Sequence, residues 1–376
     1  MRSLTTFFTG FDVLLFFATT ALSLLGLVTM YSHLPGGHSL FSKQIVWIGI
    51  SLFAMLVAVI PDYRFLRTGN AAVMIYVTTL ALLALILVIG QVTLGAQSRF
   101  NLGIFSIQPS DPAKLVLIIT LAKYFSKRHV EIVDIRHIVI SGVYAFLMFA
   151  FIFVQPDFGS AIIIFLVWFG LILVAGISWK HLFLVFFLGT VAFNGLWFFG
   201  FHEYQKQRIL TFLHPLADIR GTGYNAYQST IAVGSGQLMG KGVGYGTQSK
   251  LQFLPEYETD FIFAAYAEEW GFVGVLLLFA LYGLLITRII VIAQQSASNF
   301  ERLFGAGVAI LFIAHFVVHI GMNIGLLPVT GTTVPFLSYG GSHLVTEFLA
   351  VGMLMGMSKR RTTTSNLEKS ELIGAS

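Results

Sequence analysis

The sequence predicts an all-α fold: a polytopic membrane helical bundle of about ten transmembrane helices, with a long extracytoplasmic loop between helices seven and eight. Three observations predict it. Only 10% of the 376 residues are charged, against roughly 25% in an average soluble domain, so there is too little charge to cover a water-facing surface. Mean hydropathy is +0.84. Charge-poor windows close to the roughly 20 residues that a bilayer crossing needs recur along the chain. Soluble enzymes, nucleic-acid binders and secreted repeat proteins are excluded on these grounds. Lys and Arg number 22 against 17 Asp and Glu; a membrane protein places such an excess in cytoplasmic loops, so the charge calls for no nucleic-acid partner. Cysteine is absent, which removes disulfides, zinc-thiolate sites and thiol nucleophiles.

The windows fall near 13–31, 44–60, 71–90, 112–125, 138–154, 158–179, 182–201, 260–287, 303–327 and 336–357. The first is a retained helix and not a cleaved leader, because its charged flank is only Arg2 and no small-residue cleavage site follows. The fourth is the weakest, with Asp111 and Lys114 in its first turn. Gln155-Pro156-Asp157 separates the fifth from the sixth. With a cytoplasmic N-terminus, the inside segments hold Arg2, Arg64, Arg67, Lys123, Lys127, Arg128, Arg136, Lys180, Arg288, Arg302, Lys359, Arg360, Arg361 and Lys369, while the short outside loops hold little beyond Lys43 and Arg99. The positive-inside rule selects that orientation and puts both termini inside. Residues 1–357 then form a single integral membrane domain, and 358–376 a polar cytoplasmic tail expected to be disordered. The segment 202–258 has no span of its own but carries aromatics, glycines and both charge signs; a connection of that length and composition is expected to be folded and functional.

Candidate chemistry gathers at the outer ends of the spans. Asp260 follows Thr259, a candidate N-cap, at the start of span eight, where half-desolvation makes a carboxylate a better base; helix-dipole complementation is the plainer reading. Glu268 and Glu269 lie deeper. At 100° per residue Glu268 falls about 80° from Asp260 and Glu269 about 180°, so Glu268 is the candidate neighbour of a site, or else a member of a buried ion pair. Asp111 and Lys114 share a helix face after Ser110, a candidate cap. They form a local salt bridge, or Lys114 serves as a cation for an anionic substrate. Asp157 makes a third carboxylate at a span start, and bundle geometry could converge all three on one cavity. The run from Gly234 to Gly246 has glycine nests suited to a pyrophosphate, with Lys241, Arg208 or Arg220 as cations, but it is not a Walker motif: Gly242 stands where Ser or Thr is required. His315 and His319, at i and i+4, suit interhelical hydrogen bonds better than a metal. Gly321/Gly325 and Gly352/Gly356 are small-residue pairs for close helix contact.

An outward-facing enzyme has no nucleotide donors. A carboxylate base, cations for a pyrophosphate and an apolar groove together suit glycosyl transfer from a polyprenyl-pyrophosphate sugar. A lipid-linked precursor flippase or a non-catalytic scaffold of a cell-wall synthase would use the same cavity without the base.

Several motifs then resemble one family in combination: Gln108-Pro109-Ser110, Gln155-Pro156-Asp157, Tyr204-Gln205-Lys206-Gln207-Arg208, Gly246-Thr247-Gln248-Ser249, Leu254-Pro255-Glu256 with Thr259-Asp260-Phe261-Ile262-Phe263-Ala264, Glu268-Glu269, Gly325-Leu326-Leu327-Pro328 and Ser338-Tyr339-Gly340-Gly341. The chain resembles the SEDS (shape, elongation, division and sporulation) peptidoglycan polymerases from span one to span ten, its RodA-like branch most closely. The resemblance implies a peptidoglycan glycosyltransferase that polymerises lipid II on the outer face of the bacterial cytoplasmic membrane, for elongation and shape. It implies a class B penicillin-binding protein and other elongation-complex membrane proteins as partners. It also implies that Asp260 is the catalytic carboxylate and that Lys114 and Asp157 line its cavity. The wider substrate-binding set expected around it is Asp111, Gln108, Arg99, Arg208, Lys241, Glu256 and Glu268. No cofactor is required by these residues; a divalent cation such as Mg2+ is the alternative to basic side chains as counter-charge for the leaving pyrophosphate. The chain departs from the family pattern at Asp111, where Glu is usual, at Phe100, where Trp is usual, and at Thr332-Thr333, where Val-Pro is expected.

Overall fold

The computed structural model describes residues 11–31, 38–93, 96–101, 106–127, 134–214, 223–251, 253–254 and 256–374. Arg2, Arg128, Arg220 and Pro255 lie outside them. Among the described residues, ten long helices make the bundle: α1 (Val13–Tyr31), α2 (His38–Ala58), then beyond the short α3 (Arg64–Thr68) α4 (Ala71–Ile89), α5 (Ser110–Ser126), α6 (Ile135–Val154), α7 (Phe158–Ala175), α8 (Trp179–Gly195), and, after the short α9 (Glu203–Leu213), α10 (Tyr224–Ser235) and α11 (Thr247–Lys250), α12 (Ile262–Gln295), α13 (Asn299–Asn323) and α14 (Gly341–Gly374). Eight of them are long and apolar enough to cross a membrane, which makes this a multi-pass membrane protein. The other two are α5, only 17 residues long with Asp111 in its first turn, and α14, whose second half is polar. A short antiparallel sheet, β1 (Gln91–Thr93), β2 (Ala96–Asn101) and β3 (Ser106–Ile107), pairs Gln91 with Arg99 and Phe100 with Ile107.

Burial ranks the helices. α5 is buried from Ala113 to Ala122 on every side, and α13 keeps Phe304, Phe312, His319 and Asn323 fully buried. A helix that is apolar all round sits in the middle of a bundle. α8 is also apolar but has no buried residue, so its Phe183, Phe187 and Val191 face outward, toward lipid. Glycines set the closest approaches. A Cβ on Gly352 would stand 2.4 Å from the Met55 carbonyl oxygen of α2, and one on Gly26 2.1 Å from that of Leu337. Gly352 and Gly356 do lean on α2, as their spacing predicts. The Gly321/Gly325 pair does not form such a stripe: α13 ends at Asn323, and Gly325, at φ +76°, belongs to the turn beyond it.

Two expectations about order need correction. The segment 202–258 carries α9, α10 and α11 rather than loop alone. The tail from Ser358 is helical, continuing α14 to Gly374; no proline or glycine between Ser358 and Ile373 interrupts it, and polar side chains do not by themselves end a helix.

α12 is 34 residues long and is broken at Gly271, whose φ is +63° and ψ −166°. The break removes intrahelical partners on both sides, which apolar surroundings make costly. The glycine-rich segment replaces them. Phe272 and Val273 donate their N–H groups to the carbonyls of Gln237 and Leu238 (2.8 and 3.1 Å), while Lys241 and Gly242 donate to those of Glu268 and Glu269 (both 3.0 Å). Only glycine fits this seam: a Cβ at Gly236 would stand 2.0 Å from the Ala267 oxygen and one at Gly240 2.0 Å from that of Glu269.

Candidate active site

At the end of the bundle that carries segment 202–258, a cavity of about 650 Å3 opens between α5, the α6–α7 turn, α9, the turn before α12, and the start of α14. Arg99, Gln108, Asp111, Lys114, Asp157, Arg208, Glu256 and Asp260 all line it. The three carboxylates at span starts therefore meet in one place, although Asp111, Asp157 and Asp260 are far apart in sequence.

Each carboxylate has a different setting. Asp157 caps α7 by accepting from the Ser160 N–H (3.0 Å), and its other oxygen accepts from Gln108 Nε2 (2.8 Å) and Ser110 Oγ (3.2 Å). Gln108 in turn accepts from Arg99 Nε at 3.2 Å. Asp111 accepts from Lys114 Nζ (3.2 Å) and Ser342 Oγ (2.6 Å). Asp260 differs: its carboxylate accepts no hydrogen bond among the described residues, although its backbone is tightly held. The Glu256 carbonyl accepts from the N–H groups of Thr259, Asp260 and Phe261, Asn323 Nδ2 donates to the Asp260 carbonyl (3.0 Å), and Ser338 Oγ donates to the Thr259 carbonyl (2.9 Å). Glu256 itself sits at φ +54°, a left-handed backbone that a non-glycine residue adopts at a cost, as is common where geometry serves a site.

The Asp260 carboxyl is pushed up to about 6, first by burial and then by the nearby charge of Glu256, with Arg208 and Arg99 pulling the other way. Glu258 is also raised, by burial. A carboxylate poised near neutrality, ordered through its backbone but with its oxygens open to a cavity, can take a proton from a bound hydroxyl. Arg99, Arg208 and Lys114 are the cations that could meet an anion on a wall that also carries Asp111, Asp157, Glu256 and Glu258.

Two expected caps are absent. α12 begins only at Ile262, and its N-cap Phe261 makes no side-chain bond; the Thr259 hydroxyl donates instead to Glu256 Oε2 at 3.2 Å. Asp260 thus lies in the turn before the helix. Ser110 is the first residue of α5, not its cap, and its hydroxyl is spent on Asp157. Glu268 and Lys241 are not in the cavity. They pair at 2.6 Å beneath the glycine-rich segment, where Glu268 also accepts from the N–H groups of Thr247 (2.9 Å) and Gln248 (3.2 Å) and from Ser235 Oγ (3.3 Å). The helical-wheel offset from Asp260 misplaced Glu268, because Asp260 is not on the helix. The glycine nests are likewise occupied by the broken backbone of α12. His315 and His319 bond the carbonyls of Thr333 (3.0 Å) and Thr332 (2.7 Å), and no cluster of three or more His, Cys, Asp or Glu that could hold a metal occurs among the described residues.

Sequence reasoning gave no site role to Glu258, Ser342 and His343, nor to Tyr339 beyond its place in a motif, yet all four line the cavity. His343 had a signal: with Glu347 it makes an ionisable i, i+4 pair inside an apolar window.

Residues 5–363 match the family model of cell cycle proteins that groups FtsW, RodA and SpoVE. The chain belongs to this family. Among its relatives, the Escherichia coli peptidoglycan glycosyltransferase MrdB is 38% identical over 77% of this chain and 78% of its own length. Stage V sporulation protein E of Bacillus subtilis is 35% identical over 95% and 99%. Among solved structures, a chain of a peptidoglycan synthase complex, described for its structural coordination of polymerization and crosslinking, superposes with a TM-score of 0.80 at 30% identity, over 93% of this chain and 98% of that one. Thermus thermophilus RodA superposes at 0.70 with 29% identity, over 93% and 97%. The FtsW–RodA–SpoVE family match thus covers the bundle, the cavity and the broken helix α12 alike.

Proposed function

We propose that this protein is a peptidoglycan glycosyltransferase that polymerises lipid II into glycan strands for cell elongation and shape. Its single strongest support is Asp260, a carboxylate raised toward neutrality by burial and left, among the described residues, without a hydrogen-bond donor, in a cavity where Arg99, Lys114 and Arg208 stand among further carboxylates. Asp260 accepts the proton of the acceptor sugar's hydroxyl. The hydroxyl oxygen forms the new bond to the donor's anomeric carbon, and the bond from that carbon to the polyprenyl pyrophosphate breaks. Lys114, with Arg99 and Arg208, attracts the departing pyrophosphate. Gln108, Asp157 and Glu256 position these groups, and Asp111 holds the Lys114 ammonium when no substrate is bound. A divalent cation such as Mg2+, which binds through one or two carboxylates plus substrate phosphates, would add charge at the same pyrophosphate, and the cavity carboxylates are the groups to hold it.

The setting follows from the same reading. The cavity end faces outward, both termini are cytoplasmic, and residues 1–357 act as one integral domain in the bacterial cytoplasmic membrane, as the loop charges favour. A class B penicillin-binding protein is the partner, together with other membrane proteins of the elongation complex; the similarity to a chain of a peptidoglycan synthase complex supports this. A flippase would need polar groups crossing the bundle, whereas Glu268 is engaged by the glycine-rich segment.

The test is glycan polymerisation from lipid II by purified protein, alone and with its cognate transpeptidase. The wild type should make strands and Asp260→Asn should not, at equal amounts of inserted protein. Strand synthesis by Asp260→Asn at the wild-type rate would refute the assignment.

A further inference from the structure

The floor of the cavity holds a charge network in which only Lys114 and Asp111 have been given a task. Asp111 and Lys114 of α5 meet Ser342, His343 and Glu347 of α14, and all five lie within the bundle; His343 is 8% exposed and Glu347 3%. His343 Nε2 stands 2.7 Å from Glu347 Oε1, bent away from the ideal N–H line, and Nδ1 stands 3.5 Å from Asp111 Oδ1. The other Glu347 oxygen accepts from the Phe336 N–H at 2.8 Å. His315 of α13 packs its ring 4.9 Å from that of His343 and bonds the Thr333 carbonyl, while Tyr282 of α12 donates to the Pro335 carbonyl.

A neutral imidazole has one N–H and one lone pair. With a carboxylate oxygen on each side of the ring, the neutral form would turn its lone pair toward another lone pair. The imidazolium instead sets a positive charge between the two carboxylates, through ion-pair contacts whose angles fall short of hydrogen bonds. The network then balances: Asp111 and Glu347 against Lys114 and His343.

That balance matters when an anion arrives. Lys114 is bonded to Asp111. If Lys114 were the only cation there, its turning toward a phosphate would strand a buried carboxylate, a costly event. We infer that His343 is a positioning residue, whose imidazolium keeps Asp111 compensated so that the Lys114 ammonium can leave it for the pyrophosphate of a lipid-linked substrate. This rests on the glycosyltransferase reading of the cavity. Lys114 suits the task, being a compact charge on a flexible stem with three donors.

The test is lipid II polymerisation as a function of substrate concentration, with wild type and Asp260→Asn run alongside; a wild type that makes no glycan would remove the functional reading itself. With wild type active, His343→Gln should raise KM at least about tenfold, because a buried carboxylate stripped of one of its charge partners holds the Lys114 ammonium more tightly, with a smaller change in kcat. Asp111→Asn/His343→Gln should bring KM back down, because no carboxylate in the pair then competes for Lys114. A purely structural His343 would not be rescued by altering Asp111. Should His343→Gln fail to accumulate, Glu347→Gln/His343→Gln restores the buried charge balance and should accumulate with the raised KM. Wild-type KM in either His343 variant with Asp111 intact, or no recovery in the Asp111 double variant, overturns the inference.

Discussion

Asp260 and Glu268 lie in one short stretch of chain, and both are acidic residues in an apolar protein, yet the fold treats them oppositely. Glu268 is fully buried and accepts from Lys241, Thr247, Gln248 and Ser235. Asp260 has its backbone fixed by Glu256 and Asn323 and its carboxylate bonded to nothing among the described residues. A carboxylate surrounded by donors is a fastener, since its charge is already used. A carboxylate held in place but left unbonded keeps its basicity available for a substrate. The contrast teaches that burial alone does not mark a catalytic acid or base; the pattern of unused acceptor positions does.

The largest expected effect separates the two by activity. Asp260→Asn keeps the shape and removes the base, so polymerisation should drop 10²–10⁴-fold, measured as glycan product from lipid II at matched protein. Equal losses from Asp260→Asn and Glu268→Gln, per folded molecule, would erase the distinction. The next effect tests the fastener. Gly271→Ala places a side chain at φ +63° with its Cβ 2.2 Å from the Gly240 nitrogen, and should destabilise the purified protein by about 3 kcal/mol, read as a fall in thermal unfolding midpoint. Glu268→Gln, which abolishes the ion pair and weakens the backbone bonds, should cost about 2 kcal/mol in the same assay while the activity of the molecules that remain folded stays near wild type.

The smallest effect has the opposite sign. Because the folded-state pKa of Asp260 is raised to about 6 above an unfolded value of about 3.9, its ionised form works against folding. That penalty is absent below about pH 4 and complete above about pH 6. Asp260→Asn should therefore stabilise the protein at pH 7.5 by about 1 kcal/mol, a figure reduced for the carboxylate's contact with the solvent-filled cavity, and should change nothing at pH 4. A destabilised Asp260→Asn would mean that the carboxylate is a fastener too.

Eight of the ten long helices were legible because crossing a bilayer imposes length and hydropathy on local sequence; α5 and α14 fell short of that signal, α5 by its length and first-turn charge and α14 by its polar second half. The convergence of Asp111, Asp157 and Asp260 was half legible, as carboxylates at span starts. Lys114 was legible from its spacing to Asp111. What local sequence could not carry was contact between distant segments. Lys241 and Glu268 looked like two site residues, and only the seam between the glycine-rich segment and the break at Gly271 makes them a pair. His343 reaches Asp111 across more than half the chain, which no spacing rule encodes. The two caps failed for different reasons: the Ser110 hydroxyl has a tertiary partner in Asp157, whereas the Thr259 hydroxyl turns back onto Glu256, three residues before it, bonding both its carbonyl and its carboxylate.

The most direct measurement of the central claim is the pH dependence of kcat/KM for lipid II polymerisation by the wild type. If Asp260 is the base, only its ionised form acts. The rate should be level above about pH 6.5 and fall close to tenfold per pH unit below about 6, and the residual activity of Asp260→Asn should show no such limb. A wild-type profile that stays flat down to pH 5, or an identical acid limb in Asp260→Asn, would contradict the account.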